Sequence, residues 1–128
     1  MEDCFVKEYD GFVVVDDVHI KGKLTLGENT ADNGGLRISH MALLDVLAAN
    51  PEKTVDGFTP DQRFFLGYAQ IWCENMTPQA ARLQALSNEH SDPMYRVDGV
   101  VSNSLDFAKA FGCKPNAPMV RTPACRVW

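Results

Sequence analysis

The chain has 128 residues, an apolar fraction of 45%, a formal charge of −5 and an isoelectric point near 5.0. This length and composition fit one globular domain over residues 1–128, and the lack of a basic excess argues against nucleic acid or an anionic membrane surface as the main partner. No apolar run reaches the roughly 20 residues that cross a bilayer, and residues 1–20 lack the basic start and apolar block of a secretion signal. The expectation is a segment with no membrane anchor or leader of its own.

Phe12-Val13-Val14-Val15 is a β-branched run suited to a short strand, and Asp16-Asp17 breaks it, so residues 1–20 read as a short extended N-terminal segment. Gly22, between Lys21 and Lys23, supplies backbone freedom for a turn. From Thr25 to Ala49 the apolar residues Ala31, Ile38, Met41, Ala42 and the run from Leu44 to Leu47 recur at three and four, which predicts one long helix ended by Asn50-Pro51. Thr59-Pro60-Asp61-Gln62 predicts a second start, with Thr59 as N-cap, proline at the first helical position and Gln62 closing a capping box. That helix runs to about Glu74 and is heavily aromatic. Thr77-Pro78 repeats the start signal ahead of a third helix over Ala80 to Leu86, followed by a polar loop and a short extended stretch at Tyr95-Arg96-Val97. A fourth helix spans about Ser104 to Phe111, capped by Asn103 or Ser104 and stopped by Gly112. Phe64, Phe65, Trp72 and Phe107 read as aromatic core at helical spacing, not as substrate contacts.

Within Leu26-Gly27-Glu28-Asn29-Thr30-Ala31-Asp32-Asn33-Gly34-Gly35, Glu28 and Asp32 lie one helical turn apart and can address one point in space. The two glycines one turn on give up helix propensity, which is tolerable where something packs closely. On spacing alone the simpler reading is a capping box at Thr25-x-x-Glu28 with Asp32 as a solvated first-turn acid. His90 and Arg96, taken singly, read as a solvated side chain and a surface charge. His19 and His40 read as ordinary histidines, since His40 follows Glu28 by twelve residues, on the order of 18 Å along a helix. Cys4, Cys73, Cys113 and Cys125 lack the paired C-x-x-C spacing of a structural zinc site, and fit buried thiols or any of three disulfide pairings.

Taken whole, the ten residues Leu26 to Gly35 resemble the second zinc-site motif of the neprilysin family of zinc metalloendopeptidases, Glu-Asn-x-Ala-Asp-x-Gly-Gly within Leu-Gly-Glu-Asn. Further family-like stretches follow in order: Arg63 to Cys73 is similar to the family's aromatic helix. His90-Ser91-Asp92-Pro93-Met94-Tyr95-Arg96 is similar to its active-site segment, Asn103 to Phe111 to its last helix, and Cys125-Arg126-Val127-Trp128 to its ending. The resemblance covers essentially the full chain. It implies that Glu28 is a zinc ligand and that Asp32 supports a ligating histidine. It also implies that His90 stabilises the oxyanion of the tetrahedral intermediate and that Arg96 grips a substrate carbonyl. A Cys4–Cys125 bridge follows from the same resemblance, with Cys73 and Cys113 matching cysteines that bond to a lobe outside this chain. Asn88 departs from the family's aspartate two residues before the histidine, and the family's proline after His-Ser is displaced to Pro93.

The His-Glu-x-x-His helix that would give the other two ligands and the general base does not occur in these residues. The implied fold class is mainly α, a four-helix C-terminal subdomain of a gluzincin-type metallopeptidase with a short extended N-terminal segment. The implied function is peptide-bond hydrolysis with Zn2+, as part of a larger enzyme whose missing N-terminal portion is the necessary partner. Such an enzyme is extracellular, periplasmic or membrane-anchored through that portion, and residues 1–128 alone are expected to be inactive with weak zinc affinity. The alternative is a non-catalytic helical binding module on the same scaffold.

Overall fold

A computed structural model describes residues 2–128. The described residues are mainly α-helical, with six helices: α1 (Glu2–Asp10), α2 (Leu26–Ala49), α3 (Pro60–Ile71), α4 (Pro78–Ser87), α5 (Pro93–Ser102) and α6 (Leu105–Ala110). One antiparallel hairpin, β1 (Val13–Val15) and β2 (Val18–His19), turns at Asp16-Asp17 between α1 and α2.

Two of these helices were not expected from the sequence. In α1 the pair Phe5 and Tyr9, one turn apart, is fully buried, and the charged residues between them mask that spacing; Glu2 and Asp3 begin the helix and Lys7 lies in its last turn, each complementing the helix dipole. In α5 the side chain of Asp92 accepts a hydrogen bond from Met94 N, with Pro93 in the first turn. Tyr95-Arg96-Val97 is therefore helical, not extended, and its start uses the same N-cap-plus-proline chemistry as Thr59-Pro60 and Thr77-Pro78.

The caps of α3, α4 and α6 match the sequence. Thr59 Oγ1 accepts from Gln62 N at 3.2 Å while Gln62 Oε1 accepts from Thr59 N at 3.0 Å, closing the capping box. Thr77 accepts from Ala80 N and Ser104 from Phe107 N. Thr25 does not cap α2: its hydroxyl donates backwards to Lys21 O at 3.3 Å. At Gly22 the constraint is a close approach, since a Cβ there would lie 2.3 Å from Val6 O.

The apolar periodicity located α2, but most of the residues that carry it face outward: Ile38, Met41 and Val46 are 56%, 53% and 56% exposed. The buried face carries Asn29, Gly34, Leu36 and His40. Leu36 joins Phe65, Val100 and Val101 in a core shared by α2, α3 and α5, with Phe64, Tyr68, Phe107 and Phe111 packed against it. His40 sits against Phe64 and Phe65, with Nε2 3.1 Å from Asp61 Oδ1 of α3 and Nδ1 3.6 Å from Asp106 Oδ2 of α6. A second core gathers Phe5, Tyr9, Ile20 and Cys125, and there Cys4 and Cys125 form a disulfide across 121 residues of chain. Cys73 and Cys113 are unbonded thiols among the described residues. What packs on Gly34 is the Trp128 ring, 3.0 Å from the position of a Cβ, whereas nothing lies within 4 Å of one at Gly35.

A loop of this length gives the disulfide a stabilisation on the order of 5 kcal/mol on chain-entropy grounds. Cys4→Ser/Cys125→Ser is expected to lower the urea midpoint strongly, and an unchanged midpoint would remove the bridge from the account of stability. Glu8 offers a second test. Its side chain is fully buried, accepts from Asn103 Nδ2 at 2.9 Å and lies 3.8 Å from Arg121 Nε. Burial pushes its pKa up, and Asn103 and Arg121 offset this only in part. A carboxyl raised in the folded state keeps a proton that the unfolded chain has released. Its contribution to stability is complete below the unfolded pKa and is lost as pH rises through the folded value. The urea midpoint should therefore fall as pH is raised from about 4.5, and Glu8→Gln should flatten that fall; equal slopes would place the dependence elsewhere.

Candidate active site

Helix α2 presents Glu28 and Asp32 on one face, α5 brings Arg96 across to them, and the loop before α5 brings His90. Arg96 Nε and Nη2 donate to the two oxygens of Asp32 at 2.7 and 2.8 Å, a bidentate pair with both side chains 12% exposed. Nη2 also lies 3.9 Å from Glu28 Oε2. The guanidinium stacks on the Trp72 ring, 3.8 Å from its centroid, and Tyr68 Oη donates to Arg96 O at 2.7 Å. Burial works against the charge on Arg96, but the hydrogen bonds and charge of Asp32, with smaller help from Tyr68 and Glu28, more than offset it and hold its pKa above the ordinary value. Burial, reinforced by the Asp32 charge, likewise pushes the Tyr68 hydroxyl up.

His90 Nε2 lies 3.3 Å from Glu28 Oε2, with the two side chains 38% and 40% exposed. Asn88 Oδ1 accepts from both His90 N at 2.8 Å and His90 Nδ1 at 3.0 Å. The amide therefore still orients the ring where the family pattern has a carboxylate. With Nδ1–H held by Asn88, a donor bond from Nε2 to Glu28 exists only in the imidazolium form. The displaced proline, Pro93, opens α5 and leaves His90 and Arg96 on the same side of α2 as Glu28.

All four residues singled out from the sequence, Glu28, Asp32, His90 and Arg96, thus meet in one place. His19 and His40 do not join them: His19 Nδ1 lies 2.9 Å from Asp10 O, and His40 belongs to the core described above. Trp72 is a correction, because this half-buried residue is not simply core; it forms the platform under Arg96. Its place as the C-cap of α3, where the helix ends short of the expected Glu74, is visible only in the structure. A cavity of about 180 Å³ beside Leu36, His40, Phe65 and Arg126 is lined by none of the four.

The described residues do not complete a metal site. They contain no group of three His, Cys, Asp or Glu side chains able to hold an ion, and both Asp32 oxygens are engaged by Arg96. Glu28 is left as one accessible carboxylate donor.

The pattern of Peptidase family M13 matches residues 1–127. The chain belongs to this family. Among family relatives, Neprilysin-2 of Caenorhabditis elegans is 42% identical over 98% of this chain, and Endothelin-converting enzyme 1 of Cavia porcellus 39% over 98%. The chain spans only 18% and 17% of their lengths. The zinc metalloprotease ZMP1 of Mycobacterium tuberculosis in its open state superposes with a TM-score of 0.92 at 32% identity, over 99% of this chain and 21% of that one. Its inhibitor complex gives 0.86 at 34% identity, over 99% and 20%.

Asp32→Asn leaves Arg96 largely buried beside a neutral amide. Breaking one side of such a pair costs about 3–5 kcal/mol, while replacing both members with apolar groups is far milder. Denaturant titration should show Asp32→Asn strongly destabilised and Asp32→Leu/Arg96→Met partly recovered; a single variant within about 0.5 kcal/mol of the parent would mean the pair carries little.

Proposed function

We propose that this chain is the C-terminal part of a zinc metalloendopeptidase catalytic domain and supplies one side of its active site. The convergence of the Glu28 carboxylate, His90 Nε2 and the Arg96 guanidinium on one face of α2 carries this reading, and membership of Peptidase family M13 supports it. Glu28 is proposed as one of three protein ligands to zinc. The other two, and the general base, lie outside this chain, consistent with the small share of its relatives' length that it spans. Zinc, when bound, polarises the scissile carbonyl and activates water.

The chain's own residues have separate tasks. Asp32 fixes Arg96 through Nε and Nη2, and Nη1, without a partner among the described residues, is left to donate to a peptide carbonyl. Trp72 holds the guanidinium plane from below. His90, oriented by Asn88, offers Nε2–H to the oxygen on which negative charge develops. The exposed apolar residues of α2, Ile38, Met41 and Val46, fit a surface covered by the remainder of the domain. The Cys4–Cys125 disulfide suits an oxidising setting, hence an extracellular, periplasmic or membrane-anchored enzyme.

Purified residues 1–128 should not cleave a fluorogenic peptide with or without added zinc. Joined to an upstream His-Glu-x-x-His segment from the parent reading frame, the chain should cleave it in a chelator-sensitive manner. In the joined protein Glu28→Gln should abolish turnover, and His90→Ala should lower it by about 10²–10³. Zinc-dependent cleavage by the isolated chain, or a joined protein indifferent to both substitutions, overturns the assignment.

A further inference from the structure

The motif that carries Glu28 also carries Asn29, a residue with no part in the chemistry above, and His90 is followed by Ser91, equally unused. Both are buried, Asn29 at 1% exposure and Ser91 at 2%, and they meet: Ser91 Oγ donates to Asn29 Oδ1 at 2.7 Å. The chain of bonds continues inward. Asn29 Nδ2 donates to Thr25 Oγ1 at 2.8 Å, and Thr25, also 2% exposed, donates to Lys21 O. On the other side Gln84 Nε2 donates to Ser91 O at 3.2 Å, tying the same loop to α4.

The placement is what matters. The Ser91–Asn29 bond joins the loop to α2 one residue from His90 and one residue from Glu28. The exposed His90–Glu28 contact is weak by itself, since a half-exposed ion pair is worth at most about 1 kcal/mol. A buried hydrogen bond is directional, and leaving either partner unpaired in the interior is costly. We infer that Asn29 is a positioning residue: through Ser91 it sets the register of the His90 loop on α2 and so aims His90 Nε2 at the Glu28 carboxylate. This rests on the proposed role of Glu28 and His90 only for its catalytic consequence; the geometric part stands alone. The tie is separate from the Asp32–Arg96 pair, which fixes α5 one turn further along.

The test uses nuclear Overhauser contacts in residues 1–128, which report position without requiring activity. Ser91→Ala should remove the contact between the His90 ring and the Glu28 side chain, while the Arg96 Nε–H signal of the Asp32 pair persists. The double variant Asn29→Leu/Ser91→Ala leaves neither of the two groups unpaired and should regain thermal stability without regaining the His90–Glu28 contact. A purely structural bond predicts the opposite, with contact and stability returning together, and that result overturns the inference. So does a contact that survives in either variant. If Ser91→Ala alone does not fold, the double variant decides. In the joined peptidase the double variant should lose at least tenfold in kcat with KM little changed. A displaced His90 with unchanged kcat supports the positioning role and instead overturns the catalytic assignment of His90.

Discussion

The bidentate bond between Asp32 and Arg96 is the constraint on which the candidate site depends. It joins the long helix α2 to α5, and the guanidinium it holds lies over the Trp72 ring at the end of α3, so three helices are registered at one largely buried point. Charge-assisted forked bonds are among the more directional contacts available to a protein. A salt bridge in this position is weak evidence for stability and better evidence for geometry. Here the geometry holds Arg96 Nη2 2.8 Å from Asp32 and 3.9 Å from Glu28 Oε2, so one guanidinium reaches both carboxylates of α2.

Around that point α2 reverses the usual arrangement of an amphipathic helix. Thr25, Asn29 and His40 lie inward, each satisfied by hydrogen bonds or flanked by carboxylates, and Ile38, Met41 and Val46 lie outward. Polar groups on a buried face specify register, because a slip leaves donors and acceptors unpaired. Apolar groups on an open face are tolerable where further structure covers them. The chain spans 18% and 17% of the lengths of the two relatives named above, and in the proposed enzyme the remainder of the domain would be what covers this outward apolar stripe.

Local chemistry made much of this legible in the sequence. The Thr59–Gln62 capping box, the Thr77-Pro78 start and the Gly112 stop form as their residue types predict, because each depends on atoms only a few positions apart. The resemblance of the stretches around Glu28 and from His90 to Arg96 to family motifs singled out the four residues that the structure brings together. The same local rule was available at Asp92-Pro93 and was missed, since Tyr95-Arg96-Val97 carries strand-like residue types between polar neighbours. In α1 the informative pair, Phe5 and Tyr9, is separated by charged residues, one of which, Glu8, is itself buried. No pattern that equates charge with exposure finds such a helix.

By itself the sequence determined the mainly helical class, most helix boundaries to within a few residues and the four residues, Glu28, Asp32, His90 and Arg96, that the structure brings together. All of these follow from backbone sterics, capping and motif spacing. Only the tertiary structure decided which face of α2 is buried, that Trp72 supports Arg96 as a platform, and that Asn29 and Ser91 meet. Those facts join residues as much as 62 positions apart. They are fixed by the packing of α2 against α5 and the loop before it, where desolvation favours the arrangement that pairs Asn29 with Ser91 and Thr25, and no local rule encodes that choice.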